Sequence, residues 1–176
     1  MAGFTMPEQL PEGEAKVAAV RGMFDAIAPR YDLVNRIMTF RMDVRWRRRT
    51  VRDLALPAGA QVVDLACGTG DLCRELAAQG LRAVGVDLSF GMLAAARTTA
   101  PLLQGDALSL PLGDGSVDGA TCGFALRNFA ALPPFFDELA RVVRPGGRIS
   151  LLEVATPPNR FLRWGHGIYF GKVVPF

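Results

Sequence analysis

Two aspartates at the ends of predicted strands frame a glycine-rich turn. Asp64 and Asp87 each follow a run of apolar residues, and Gly68-Thr69-Gly70 lies between them. The two glycines have no Cβ, which allows a sharp turn and the close approach of a ligand to bare backbone. The next segment is predicted to be helical, and its first N–H groups would point into the same space. This order is typical of the first half of a nucleotide-binding βαβ unit, in which the second aspartate accepts hydrogen bonds from a ribose.

The glycine spacing bears on which nucleotide such a turn would bind. A dinucleotide fingerprint reads G-x-G-x-x-G, whereas Cys73 occupies the position of its third glycine. The pattern therefore disfavours NAD and FAD, although an NAD-dependent oxidoreductase stays an alternative. A purely structural interpretation also stays open, in which the turn is only tight and Asp87 only caps the following helix.

The composition is that of one soluble domain with a hydrophobic core. Of the 176 residues, 50% are hydrophobic and 21% are charged. One histidine, His166, and three cysteines without a C-x-x-C spacing leave little material for a zinc site or a catalytic triad, so we expect no metal. The cysteine usage and the lack of an apolar signal core predict a cytoplasmic protein. A net charge of +3 does not indicate nucleic acid as a partner.

Alternating elements are predicted to position these residues. Apolar segments typical of strands alternate with segments that have helical spacing. This alternation predicts an α/β fold with a doubly wound, mostly parallel sheet. The strands are expected at 61–66, 82–87, 102–104, 117–123 and 148–154, and the helices between them at 71–79, 90–98 and 132–143.

Three further helices are predicted before the first strand, at 14–28, 31–40 and 43–56. We expect them to lie across the carboxyl edge of the sheet, where ligands bind in open α/β sheets. The chain is accordingly divided into a flexible tail (1–13), N-terminal helices that cover the active site (14–56) and a cofactor-binding α/β domain (57–176).

The third helix carries arginines around Trp46. A functional interpretation is a basic, aromatic patch for an anionic membrane surface, and a structural one is a solvated helix face. The arginines are Arg45, Arg47, Arg48, Arg49 and Arg52.

Several segments resemble known motifs. Four are similar to the successive motifs of class I S-adenosylmethionine-dependent methyltransferases: Asp64-x-x-x-Gly-Thr-Gly, Val86-Asp87-x-Ser-x-x-Met92, Gly105-Asp106-Ala107 and Arg144-Pro-Gly-Gly. Two more resemble the UbiE-type C-methyltransferases of menaquinone and ubiquinone biosynthesis: Met23 to Asn35, and Gly123-Phe-Ala-Leu-Arg-Asn128. The resemblance implies a Rossmann-like methyltransferase fold and S-adenosylmethionine as the cofactor.

The resemblance also assigns residues to the cofactor. The methionine end would be held by Asp64, Gly68, Thr69 and Gly70. Asp87 would accept from the ribose hydroxyls, and Gly123 would line the site near the methyl group. Met92 would pack on the adenine or serve only as core, and Asp106, with the Ala107 N–H, would bind the adenine edge or only form a turn.

For catalysis, the resemblance implies methylation of an electron-rich ring carbon of a lipophilic quinol, such as a demethylmenaquinol. Arg127 could stabilise the developing phenolate, or be a surface arginine, and Asn128 and Asn35 could orient the ring oxygens. Tyr31 could cover the cofactor. The sequence does not separate three candidates for a general base, which are Asp25, Asp32 and Glu153.

The sequence departs from the family in two places. Phe124-Ala125 stands where the family usually has Phe-Gly, and the family continues past a segment like Tyr169 to Phe176, so its C-terminal strands are missing here. We therefore expect the fifth strand and the apolar tail 161–176 to be covered by a longer chain or by a homo-oligomer. The alternatives to a quinol methyltransferase are another small-molecule class I methyltransferase, a non-catalytic cofactor-binding module and, less favoured, the NAD-dependent oxidoreductase.

Overall fold

The structure is a computed structural model, and it describes residues 13–28, 36, 39 and 42–154. Most of the helix predicted at 31–40 and the whole apolar tail 161–176 lie outside the described residues. The division of the chain into domains therefore stays a prediction.

Five parallel strands form one sheet in the order β3-β2-β1-β4-β5. This arrangement confirms the predicted α/β fold with a parallel sheet. Their bounds are β1, Gln61–Leu65; β2, Arg82–Asp87; β3, Leu102–Gln104; β4, Val117–Gly123; and β5, Val143–Leu152.

Five α-helices and one 3₁₀ helix accompany the strands in the described part of the chain. They are α1, Gly13–Ile27; α2, Met42–Asp53; α3, Asp71–Ala78; α4, Phe90–Ala94; the 3₁₀ helix, Leu126–Asn128; and α5, Leu132–Val142.

Two elements differ from their predicted bounds by four residues or more at one end. Helix α4 was expected to reach residue 98 but ends at Ala94, and the N–H of Arg97 instead donates to the Thr69 carbonyl at 3.0 Å. Strand β5 begins at Val143 rather than at residue 148, because Val143 pairs with Val117 and the register then shifts before Arg148. The predicted Arg-Pro-Gly-Gly turn thus lies inside β5, as an irregularity between two paired stretches.

Apolar residues cover both faces of the sheet. On one face, Phe135 and Leu139 of α5 pack with Val63 of β1 in a buried cluster. On the other face, Val62 of β1 packs with residues of α2 and α3 such as Val51 and Leu76. Because neighbouring side chains of one strand serve opposite faces, the near-continuous apolar run of β1 is explained by burial on both sides.

The strand order places a crevice at the carboxyl ends of the strands. Strand β1 pairs with β2 on one side and with β4 on the other, so the helical connections leave the sheet in opposite directions from this point. Ligands of open α/β sheets bind at such a switch point. A ligand-binding site is therefore expected at the carboxyl ends of β1, β2 and β4.

Candidate functional site

A cavity of about 800 Å³ opens at the carboxyl ends of these strands, under α1. Helix α1 contributes Val17, Val20 and Phe24 to its wall. Seven residues that the sequence singled out line it: Gly68, Asp87, Met92, Asp106, Ala107, Gly123 and Asn128.

Asp87 is one of the charged residues in the wall of this cavity. Its Oδ2 accepts from the Gly68 N–H at 2.7 Å, and its Oδ1 accepts from the Ser89 N–H at 2.8 Å. Burial raises the pKa of the Asp87 carboxyl above its usual value. A carboxylate oxygen can accept more than one hydrogen bond, so this carboxylate both fixes the turn and retains acceptor capacity toward the cavity.

Asp106 and Met92 likewise combine a structural role with a place in the wall. Oδ1 of Asp106 accepts from the Leu108 N–H at 2.9 Å, which is the turn-forming role considered as an alternative. Met92 is 1% exposed and belongs to the buried core. Since both also line the cavity, the structural and the ligand-binding interpretations are compatible at each position.

A second cavity of about 370 Å³ lies on the other side of the glycine turn. It shares Ala66, Gly68, Gly123 and Phe124 with the first cavity. Its own charged and polar residues are Arg47, Asp64, Thr69 and Asp71. The two cavities are therefore adjacent, and the end of β4 and the turn after β1 separate them.

Asp64 is a buried carboxyl at the base of the second cavity. It is 1% exposed, and its Oδ1 accepts from the Thr121 hydroxyl at 2.8 Å. The Cys73 thiol lies 3.5 Å from its Oδ2. Burial raises the pKa of Asp64 to about 7, although hydrogen bonds from Thr121 and Cys73 and the positive charge of Arg47 oppose this shift. Such a carboxylate favours the approach of a cation.

The glycines of the turn serve different purposes. Gly70 has φ 82°, and a Cβ there would lie 2.6 Å from Cγ2 of Thr98, so it is needed for close packing. Gly68 has φ 56° and open space where a Cβ would stand. Gly68 therefore presents bare backbone to the cavities, as the sequence predicted for a ligand-facing glycine.

Phe124 is a functional candidate to which the sequence analysis assigned no role in the site. Its φ of 61° is uncommon for a non-glycine residue. Its N–H donates to the Leu152 carbonyl at 2.7 Å, which holds this conformation against β5. The ring lies in the wall of both cavities, and nothing in the residue types signals the backbone strain that places it there.

Helix α1 is held at two places, the start of α4 and the residue that follows the 3₁₀ helix. Oδ1 of Asp25 accepts from the Ser89 hydroxyl at 2.5 Å and from the Gly91 N–H at 2.9 Å. Lys16 donates to the Phe129 carbonyl at 2.8 Å. The hydrogen bonds from Ser89 and Gly91 lower the pKa of Asp25. Asp25 thus anchors a helix, which favours a structural role over that of a general base.

The two residues predicted to be catalytic differ in position. Asn128 lines the first cavity, whereas Arg127 points to Glu153 and forms an ion pair with its Oε1. Oε2 of Glu153 is buried and has no hydrogen-bond partner among the described residues. Tyr31, Asn35 and Asp32 lie outside the described residues, so their predicted roles stay predictions.

The arginines of α2 do not form one patch. Arg45, Arg48, Arg49 and Arg52 are exposed, but Arg47 is 8% exposed and faces the second cavity. Arg47 precedes the buried Val51 by four residues and Leu54 by seven. This spacing is the signal that could have placed it on the inner face of the helix.

Comparison with known proteins agrees with this geometry. The chain is 46% identical over 164 residues to a demethylmenaquinone methyltransferase of Thermus thermophilus, covering 88% of this chain and 74% of that protein. It is 43% identical over 174 residues to a demethylmenaquinone methyltransferase of Roseiflexus castenholzii, covering 94% of this chain and 73% of the relative.

Among solved structures, a putative methyltransferase from an antibiotic biosynthesis pathway of Anabaena variabilis is similar, with a TM-score of 0.63 and 28% identity. The match covers 76% of this chain and 55% of that one. The model of the ubiE/COQ5 methyltransferase family matches residues 12–176. The chain therefore belongs to the ubiE/COQ5 methyltransferase family.

Proposed function

We propose that the protein binds S-adenosylmethionine across the two adjacent cavities and methylates a ring carbon of demethylmenaquinol or a related quinol. The observation that carries this proposal is the pair of cavities that meet at Gly68, Gly123 and Phe124. The larger has an apolar wall with Asp87 and Asp106, which suits an adenosine. The smaller has buried charges, which suit an amino-acid end. The names of the curated relatives support the substrate class.

The residues present fit this cofactor. The open space above Gly68 gives a ligand access to backbone, and the acidic groups Asp64 and Asp87 complement a cationic sulfonium compound. When bound, S-adenosylmethionine would supply an electrophilic methyl group. Asp87 would accept hydrogen bonds from the ribose, while Phe24 and Val20 of α1 would exclude water from the first cavity.

The chain's own residues would also act on the quinol. A ring hydroxyl that loses its proton increases the electron density at the neighbouring carbon, and a cation nearby would stabilise that charge. We assign this role to Arg127, one residue from the cavity-lining Asn128. Asn128 would orient the ring, so that much of the rate enhancement comes from positioning.

The cofactor assignment is tested by calorimetry with S-adenosylhomocysteine and NADH on the same protein. We expect binding of the first and not of the second. Asp87→Ala should weaken S-adenosylhomocysteine binding by roughly 2–4 kcal/mol, since charge-assisted hydrogen bonds are lost. Asp114, an exposed aspartate outside both cavities, provides the matched control Asp114→Ala. An unchanged affinity in Asp87→Ala would show that the ribose partner is wrong.

The activity is tested by transfer of a labelled methyl group from S-adenosylmethionine to a demethylated quinol. We expect the label on a ring carbon. Binding of S-adenosylhomocysteine without transfer to any quinol would instead support a non-catalytic cofactor-binding module.

A further inference from the structure

The second cavity contains a cation whose role the proposed function does not explain. Arg47 is buried on the inner face of α2, at 8% exposure. Among the described residues that line this cavity, Arg47 is the one with a positive charge. It shares the wall with Asp64, Asp71 and Thr69. Burying a guanidinium is costly unless its charge and its donors are satisfied, so its contacts show what the site is suited to hold.

Arg47 makes its known polar contacts through one nitrogen. Its Nη1 forms an ion pair with Asp43 and lies 2.9 Å from Oδ2 of Asp71. The guanidinium carbon lies 5.5 Å from the centre of the Phe124 ring. Within the described part of the chain, no hydrogen bond or ion pair uses Nε or Nη2 of Arg47. A guanidinium carries five N–H donors in a planar fork, so one edge of the fork is available to a further acceptor.

The arginines and aspartates around Arg47 have a net positive charge that one anion would neutralise. Asp71 also forms an ion pair with Arg74, and Arg36 lies 3.9 Å from its Oδ1. Arg47, Arg74 and Arg36 thus face two aspartates, Asp43 and Asp71, and this cluster carries one net positive charge. Asp71 would keep a cationic partner in Arg74 if Arg47 turned part of its fork to a ligand.

We propose that Arg47 binds the carboxylate of the amino-acid end of S-adenosylmethionine. The inference rests on the proposed function, because it assigns a contact within the same cofactor site. A carboxylate matches the planar fork of arginine in a bidentate geometry. Asp64, in the same cavity, complements the ammonium of that end. The second cavity therefore offers one charge of each sign to a zwitterion.

The test compares two ligands that differ only in this carboxylate. Calorimetry measures the affinity of each variant for S-adenosylhomocysteine and for decarboxylated S-adenosylhomocysteine, which keeps the amine. We expect Arg47→Gln to weaken S-adenosylhomocysteine binding roughly 10- to 100-fold, the loss typical of a charge-assisted pair. Binding of the decarboxylated ligand should stay within about twofold, because its contacts are retained. Arg47→Lys should fall between, because a point charge replaces the fork.

Arg48→Gln is the matched control. Arg48 is an exposed arginine of the same helix that pairs with Glu75 and lies outside the walls of both cavities. It should not change the ratio of the two affinities. Thermal unfolding of each variant identifies loss of fold, and Arg47→Lys supplies the same comparison if Arg47→Gln does not fold.

Two results would separate the possible failures. If the unchanged protein binds S-adenosylhomocysteine and Arg47→Gln weakens both ligands equally, Arg47 is a structural residue and this inference is wrong. If the unchanged protein binds neither ligand, the proposed function itself is wrong.

Discussion

At the residue scale, the same side chains build the turn and face the cavity. Asp87 holds the Gly68 and Ser89 amides, and Asp106 holds the Leu108 amide. The residue type and its spacing are equally compatible with an aspartate that forms a turn and with one that binds a ligand. In the structure each carboxylate builds its turn and also lines the cavity, and a carboxylate oxygen can accept more than one hydrogen bond.

The buried carboxyl of Asp64 predicts a pH dependence of stability. Burial raises its pKa in the folded protein to about 7 from an ordinary value of 3.8. The unfolded chain therefore loses this proton first as the pH rises. The contribution of Asp64 to the free energy of unfolding should fall between about pH 4 and pH 7, by about 1.4 kcal/mol for each unit of pKa difference.

Asp64→Asn should remove this part of the pH dependence. The variant keeps an oxygen for the Thr121 hydroxyl but does not titrate. Denaturant unfolding at several pH values without ligand measures the effect. A profile identical to that of the unchanged protein would contradict the raised pKa.

Arg127 is the residue whose predicted role most needs a kinetic test. If it stabilises phenolate charge, Arg127→Ala should lower turnover roughly 10²- to 10³-fold and leave S-adenosylhomocysteine affinity nearly unchanged. Arg127→Lys should restore only part of the turnover. Arg144, another exposed arginine in an ion pair, gives the control Arg144→Ala. Normal turnover of Arg127→Ala on a demethylated quinol would end the assignment.

At the element scale, the sequence predicted which segments form strands better than it predicted where individual elements begin and end. Strand β4 has its predicted bounds because an apolar run lies between turn residues and pairs on both sides. Helix α4 is shorter than predicted, although Ala94 to Ala96 favour a helix, because Arg97 bonds to the glycine turn. Local propensity yields here to a tertiary contact that no short window of sequence contains.

The predicted site followed the same rule. Positions fixed by a strand end or a turn, such as Asp64, Asp87 and Gly68, could be predicted because the topology brings strand ends together. Arg47 and Phe124 were not assigned to the site. Arg47 is surrounded in the sequence by exposed arginines of α2, so its residue type alone does not distinguish it from them. The left-handed backbone of Phe124 depends on its hydrogen bond to β5, which is distant in sequence.

Helix α1 should depend on Asp25 for its attachment. Asp25→Ala removes the acceptor of the Ser89 and Gly91 hydrogen bonds, whereas Asp25→Asn keeps an oxygen at that position. We expect faster hydrogen exchange of the α1 amides and weaker S-adenosylhomocysteine binding in Asp25→Ala only. An equal loss of protection and of binding in the two variants would show that the charge of Asp25, not its hydrogen bonds, matters.

At the scale of the whole molecule, the second cavity and a basic surface lie on opposite faces of α2. Arg47 faces the second cavity, while Arg45 and Arg49 are exposed on the outside. No helix in the described part of the chain is long and apolar enough to cross a bilayer. Because the proposed quinol substrate is lipophilic, we propose that the outer face of α2, with its exposed arginines, contacts anionic lipid at a membrane surface.

This proposal predicts binding to vesicles that contain phosphatidylglycerol and not to vesicles of phosphatidylcholine alone. Arg45→Glu/Arg49→Glu should weaken that binding at least about tenfold, since each basic residue near such a surface contributes about 1 kcal/mol. Arg82→Glu/Arg148→Glu changes the net charge equally at exposed strand positions outside α2 and should have a much smaller effect. Added salt should reduce the difference, because exposed charges are screened. If both double variants bind alike, the attraction comes from net charge and the outer face of α2 is an ordinary solvated surface.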